Sequence, residues 1–178
     1  MKKLTVSLFI VLFFCALLSQ VSPLDTLSNK AKKEAMIQKQ FEATYQLLLD
    51  SSFVFETDFI YSQRVNYLLN FIKVVSSKAI IQVTPIHQGE GENGFGGVTA
   101  KGVISKYKLS KNDKQNYCVL TFSFRSTYNG NFDVSLNVYE TGAASGFVSF
   151  GSGAGKELFL DGHIVKTNVS MVVEGSSR

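Results

Sequence analysis

Two segments in the first half of the chain carry apolar residues at helical spacing. Residues 26–50 contain no Gly or Pro, and one face of a helix there collects Ile37, Phe41, Tyr45 and Leu48. Within residues 58–76 the apolar positions follow the same period, at Tyr61, Val65, Leu68, Ile72 and Val75. The spacing predicts two amphipathic helices, each with one apolar stripe that must pack against another element.

From Ala79 onward the apolar period becomes two, which is typical of half-buried strands. The predicted strands cover residues 79–86, 97–109, 118–128, 132–138, 144–150, 157–160 and 163–173. The alternation changes phase near Gly102, where we expect a β-bulge.

Two Gly-containing dipeptides indicate tight turns between these strands. Asn129-Gly130 favours a two-residue hairpin loop, but that register places polar residues on the Phe face of the sheet. A loop over residues 129–131 instead pairs Phe124 with Leu136, so we expect the longer loop. Asp161-Gly162 predicts a second, two-residue turn.

Helices grouped ahead of a run of strands predict an α+β domain. Two N-terminal amphipathic helices, in residues 26–77, precede a six- to seven-stranded, mainly antiparallel meander sheet over residues 78–175 and cover one of its faces. The alternative arrangement is a β-barrel or sandwich with the helices outside.

Residues 1–22 have the layout of a signal peptide. Lys2 and Lys3 precede an apolar run from Leu4 to Leu18, which is short for a spanning helix of roughly 20 residues. We expect cleavage to leave a single globular domain over residues 23–178, secreted or in the secretory-pathway lumen and with no membrane contact. Retention of this segment as a membrane anchor is the alternative.

Removal of the leader also lowers the net charge. Of 18 Lys and Arg residues, Lys2 and Lys3 leave with it, so 16 positive side chains face 14 negative ones and the net charge becomes +2. A charge this small gives no case for a nucleic-acid partner. Cys118 is then the only cysteine and lies in an apolar alternation, so we expect a buried thiol.

No catalytic residue, cofactor site or metal site is predicted. Only His87 and His163 could supply imidazole chemistry, and no close-spaced ligand pair accompanies them. Exposed tyrosines and a Gly-rich loop remain as candidates for contacting a ligand or partner: Tyr117, Tyr139, His87, Glu90, Glu92 and Asn93. Asn168 begins the triplet Asn-Val-Ser, a glycosylation acceptor on the polar side of the last predicted strand.

These patterns favour an exported, non-catalytic protein that acts by binding or assembly, with a protein or small-molecule partner or with further copies of itself. One alternative is a carrier of an apolar small molecule, which needs an interior void lined by residues such as Phe122 and Phe124. The other is a small secreted enzyme, which needs His87 or His163 to converge with two acidic residues in a cleft.

Overall fold

The computed structural model describes residues 23–84, 97–112, 117–151 and 156–177, without the side chains of 23–27 and 156. The elements of these residues are α1 Pro23–Leu49, β1 Ser52–Ile60, β2 Gln63–Arg64, β3 Phe71–Val75, β4 Lys78–Val83, β5 Val98–Asn112, β6 Tyr117–Ser126, β7 Gly130–Tyr139, β8 Ala143–Phe150 and β9 Lys156–Lys166. The chain divides into two compact units, Met1–Ile37 and Gln38–Arg178. The described part contains no helix long and apolar enough to cross a membrane.

Eight of the strands form a closed antiparallel barrel. The strands pair in the order β1-β3-β4-β5-β6-β7-β8-β9, and β9 pairs back with β1. The closing register runs from Phe53 opposite Lys166 to Ile60 opposite Leu160. The short strand β2 lies outside this ring and pairs with the last residues of β1. A ring of eight strands encloses an interior that side chains can fill.

Aromatic and aliphatic side chains from alternate strand positions occupy the barrel interior. Phe122, Phe124 and Leu136 are at most 2 % exposed. The rings of Phe124 and Phe132 stack with their centroids 4.8 Å apart, and Phe122 stacks on Tyr107 at 6.0 Å. These contacts put the alternating apolar residues of β6 and β7 in the core, where their burial stabilises the fold.

The second half of α1 packs on one end of the barrel. Phe41 and Leu48 are buried in the same core, and the Gln40 side chain donates a hydrogen bond to the Thr141 carbonyl in the β7–β8 turn, at 2.9 Å. The Tyr107 hydroxyl on β5 donates to the carbonyl of Leu48, at 2.5 Å. Burial raises the pKa of Tyr107 to about 12, so this hydroxyl stays a donor.

Residues 167–177, the C-terminal strap, cross the outer surface of β3, β4 and β5 and contact Lys73, Gln82 and Lys101 there. The strap is held partly by Glu174, whose carboxylate lies 2.7 Å from the Lys73 ammonium and 3.4 Å from that of Lys101. Burial alone raises the pKa of Glu174, but the hydrogen bonds and charges of the two lysines outweigh it, so the pKa is lowered. The strap therefore carries an ion-paired carboxylate onto a lysine-bearing sheet surface.

The predicted second helix is wrong. Residues 58–76 instead complete β1, turn at Tyr61 and Ser62 with positive φ, and continue through β2 into β3. The first residues of β3 are covered on both faces, since Ile72 faces the core and Phe71 is buried on the other side. Because neither of these residues is exposed, this part of the strand shows no alternation. The α+β meander with two helices is therefore corrected to a closed barrel with one described helix.

The predicted turns also change. The hairpin loop is residues 127–129, and Phe124 pairs with Phe132 instead of Leu136, so the register is wrong although the apolar face is right. Asp161-Gly162 forms no turn, because both residues lie inside β9. A Cβ on Gly162 would lie 2.0 Å from the carbonyl oxygen of Glu56, so the glycine serves the close approach of β1 to β9.

The end of the last strand and the position of the bulge also differ from the expectation. The final strand ends at Lys166, and the predicted continuation to residue 173 belongs to the strap. The register of β5 shifts between Ser105 and Lys108, where Lys106 has φ +55°, and not at Gly102. Gly102 is required for another reason, because a Cβ there would lie 2.2 Å from the carbonyl oxygen of Arg125.

Candidate functional site

Two of the tyrosines named as candidates come together on the outer surface of the barrel. Tyr117 on β6 and Tyr139 on β7 are directly paired, and their ring centroids lie 6.4 Å apart. Tyr139 is 43 % exposed. Asn168 is exposed in the turn that follows β9, not on a strand. The other candidates, His87, Glu90, Glu92 and Asn93, lie outside the described residues.

Tyr139 borders a shallow depression that runs across β7, β8, β9 and β1. Its two adjoining parts measure about 320 and 430 Å³ and share Ser145 and Asp161. The remaining lining residues are Asp58, Phe59, Asn137, Tyr139, Ala143, Ala144, Gly146, Phe147, Phe159, Leu160 and Gly162. Successive side chains of a strand point to opposite faces of the sheet, so every second residue faces outward. Aromatic rings and carboxylates at such outward positions line the depression.

The polar groups of the depression are open to solvent. The Tyr139 hydroxyl and the Ser145 hydroxyl lie 3.3 Å apart. Asp161 is exposed and makes no side-chain hydrogen bond or ion pair with any residue that the structure describes. Phe159, two residues before it on β9, is 50 % exposed and packs on Phe147 with ring centroids 6.3 Å apart. The floor thus combines apolar rings with an unneutralised carboxylate.

A histidine bridges two carboxylates beside the depression. His163 Nδ1 lies 3.0 Å from Asp58 Oδ2, and His163 Nε2 lies 3.2 Å from Glu56 Oε2. The Ser170 hydroxyl of the strap donates to the other Glu56 oxygen at 2.6 Å. Glu56 is 6 % exposed, and a buried carboxylate needs polar partners. His163 and Ser170 are the partners that the described residues supply.

Both ring nitrogens of His163 are directed at carboxylates. Nδ1 faces Asp58 and Nε2 faces Glu56, so neither nitrogen is directed at the Ser170 hydroxyl, which donates to Glu56 instead. No group of histidine, cysteine and carboxylate side chains with metal-binding geometry occurs among the described residues. The cluster can attach the strap to β1 and β9, and it holds Asp58 at the edge of the depression.

The charges of the barrel are segregated by strand. β7, β8, β9 and β1 carry five acidic residues, namely Asp133, Glu157, Asp161, Glu56 and Asp58, and their two lysines stand at the ends of β9. Arg64 of β2 borders this surface next to Phe59. We call the outer surface of these four strands the acidic face.

The opposite side of the ring has the reverse charge. β3, β4 and β5 contain six lysines and no acidic residue: Lys73, Lys78, Lys101, Lys106, Lys108 and Lys111. Lys111 differs from the others, because its ammonium lies against α1, 2.7 Å from the Glu42 carboxylate. We call the outer surface of these three strands the basic face. The net charge of the chain conceals this segregation, because the two sets nearly cancel.

Comparison with known proteins identifies a family and a fold but no activity. No curated protein matches the chain. A crystal structure of a DUF4251 family protein from Bacteroides eggerthii DSM 20697 is similar at 22 % identity with a TM-score of 0.62, over 75 % of this chain and 91 % of that one. The family model of the domain of unknown function DUF4251 matches residues 35–152, about two thirds of the chain. The chain therefore belongs to the DUF4251 family, whose function is unknown.

Proposed function

We propose that the protein is exported and acts without catalysis, by binding or assembly, and that the acidic face is its binding surface. The observation that carries the proposal is the exposed Asp161 carboxylate, which has no described ion partner and lies beside the exposed ring of Phe159. Exposed aromatic rings with a nearby unneutralised charge are typical of binding surfaces.

The ligand that best fits this surface has a cationic group on an apolar stem. A lysine or arginine side chain places its charge on Asp161 while its methylene groups pack on Phe159 and Phe59. The ring of Tyr139 adds a surface for cation–π contact, and its hydroxyl pairs with that of Ser145. A surface charge pair of this kind contributes about 0.2–1 kcal/mol, so several must act together.

The two alternatives have less support. An apolar carrier needs interior space, but Phe122, Phe124 and Leu136 are buried against neighbouring rings and aliphatic side chains. An enzyme would use His163, which does meet two acidic residues, yet both of its nitrogens face carboxylates. The carrier therefore lacks its interior space, whereas the enzyme alternative keeps the feature expected of it, the convergence of His163 with Glu56 and Asp58.

Export rests on the leader-like residues 1–22. Exposure of Asn168 in a turn makes the asparagine accessible to a glycosylating enzyme if the host possesses one. Intact mass spectrometry of the protein isolated from its expressing cells tests both points. A mass that retains residues 1–22 contradicts cleavage and favours the anchored form.

Binding is tested with a blocked peptide of sequence Lys-Phe-Lys-Phe-Lys, titrated into isotope-labelled protein and followed by NMR. We expect amide shifts concentrated at Tyr139, Ser145 and Asp161. The substitution Asp161→Asn should weaken binding about two- to fivefold. Glu157→Gln removes the same charge four residues away, about 13 Å along β9, and should change binding less.

A second peptide separates the contribution of charge to binding from that of the aromatic rings. Glu-Phe-Glu-Phe-Glu keeps the aromatic content but should not shift the same amides, because its charge is repelled by the acidic face. The proposed surface is wrong if both peptides bind equally, or if Asp161→Asn and Glu157→Gln weaken Lys-Phe-Lys-Phe-Lys to the same extent.

A further inference from the structure

We infer that the acidic face of one copy docks on the basic face of a second copy, so that the protein self-associates head to tail. This inference rests on the proposed function, since it names the partner of the acidic face. It is carried by the charge segregation around the ring and by apolar side chains that stand exposed on the basic face.

The basic face offers lysines that nothing described neutralises. Lys78, Lys106 and Lys108 are exposed and form no ion pair with a residue that the structure describes. Lys73 and Lys101 differ, because Glu174 of the strap already pairs with both. The available positive charge therefore lies on the part of the face that the strap leaves open.

Exposed valines accompany these lysines. Val75 of β3, Lys78 of β4 and Val103 of β5 stand side by side in one row of the sheet. Val75 is 44 % exposed and Val103 is 61 % exposed. Arg125 of β6 follows Val103 in the same row and adds a further exposed cation. The row therefore places cationic side chains beside apolar ones, and this composition is complementary to the aromatic rings and carboxylates of the acidic face.

The geometry of the ring determines how copies would join. β4 and β8 are four positions apart in a ring of eight strands, so the two faces point in opposite directions. Two complementary surfaces on opposite sides of one molecule make a heterologous contact, which extends from copy to copy unless a ring closes. Each copy carries both faces, so it can bind one neighbour through its acidic face and another through its basic face.

Charge exchange provides the test. Variant A, Lys78→Glu with Lys108→Glu, leaves one lysine against two glutamates at the three unpaired lysine positions of the basic face. Variant B, Glu157→Lys with Asp161→Lys, leaves three acidic residues against four lysines on the strands of the acidic face. We expect the average mass of the unaltered protein in sedimentation equilibrium to rise with concentration up to about 1 mM at low salt, and to fall to that of the monomer near 0.5 M NaCl. Each variant alone should associate at least tenfold more weakly.

Mixing the two variants is the decisive measurement. Every face of A then opposes a face of opposite charge on B, so an equimolar mixture should associate although neither variant does so alone. The matched control, Lys32→Glu with Lys39→Glu, changes the same charge on exposed positions of α1 and should associate like the unaltered protein. Circular dichroism on each variant verifies cooperative unfolding.

The remaining outcomes separate this inference from the proposed function. A protein that stays monomeric at low salt overturns self-association, and the proposed function still stands if Lys-Phe-Lys-Phe-Lys binds in an Asp161-dependent manner. Association that is insensitive to both variants, or a mixture that does not recover, also overturns it. If the peptide fails to bind as well, both proposals are wrong.

Discussion

Gln82 on β4 is the buried side chain whose replacement tests most directly what holds the C-terminal strap. Its amide is 0 % exposed and donates to the carbonyls of Leu69 and Val173, at 3.1 and 2.8 Å. Its oxygen accepts from the Thr99 hydroxyl and the Gly175 amide, at 2.9 and 2.6 Å. An amide side chain has two donors and two acceptor positions, so this one is saturated.

We consider Gln82→Met, which keeps the length of the side chain and removes all four hydrogen bonds. Each bond contributes about 0.5–1.5 kcal/mol net, which gives about 2–6 kcal/mol if all four groups stay buried. When the strap detaches, the backbone groups of Val173 and Gly175 form hydrogen bonds to water, so part of the lost free energy is recovered. We therefore expect a loss of about 2–3 kcal/mol in the free energy of unfolding.

Urea denaturation followed by circular dichroism measures this loss, and hydrogen exchange at the Gly175 amide reports whether the strap has detached. Gln40→Met is the matched control, since Gln40 makes one exposed hydrogen bond to the Thr141 carbonyl and should cost less than about 1 kcal/mol. A loss for Gln82→Met no larger than that for Gln40→Met, or unchanged exchange at Gly175, would show that these four hydrogen bonds do not hold the strap.

The pKa of Glu174 is lowered in the folded protein, so the ionised carboxylate stabilises the strap at neutral pH. This stabilisation disappears as the pH falls through the folded-state pKa. Hydrogen exchange in the strap should therefore accelerate in acid, and Glu174→Gln should abolish that dependence. Gly162→Ala should cost about 2–3 kcal/mol in thermal or urea unfolding because its Cβ meets the Glu56 backbone, whereas Gly130→Ala, with open space around its Cβ, should cost about 1 kcal/mol. Burial raises the pKa of Cys118 from 9.0 to about 11, so iodoacetamide should react at least about 100-fold more slowly with native than with urea-unfolded protein, and equal rates would contradict its burial.

Local pattern was informative where an element has one buried face. The helix expected over residues 26–50 is observed as Pro23–Leu49, with Phe41 and Leu48 in the core. Alternation in β6 and β7 correctly indicated which side chains face inward, and Cys118 is buried as expected. In each of these segments solvent exposure on one side leaves a periodic signature in the sequence.

Pattern was misleading where both faces are covered. Phe53, Val54 and Phe55 of β1 are all fully buried, so no alternation marked the strand. Near it, the helical spacing from Tyr61 to Val75 belongs to residues of β3 and of the turns that precede it. Gly162 was misinterpreted for a related reason, because a glycine that permits close strand contact looks locally like a turn glycine.

The candidate site was predictable only in part. Outward phase alone identified Tyr117 and Tyr139, which do meet on the barrel surface. Asp161 was assigned to a turn, and Glu56 and Asp58 had no assigned partner. A lone exposed carboxylate carries no local signal, so the depression could be recognised only after β8, β9 and β1 were paired.

The sequence by itself determined one helix and the inward phase of the regularly alternating strands, because these depend on neighbours a few residues apart. Tertiary structure alone decided the closure of the barrel and the separation of its charges into two faces. Closure pairs Glu56 with His163 across more than a hundred residues. Short-range periodicity records whether a side chain is buried but contains no information on which distant strand lies beside it.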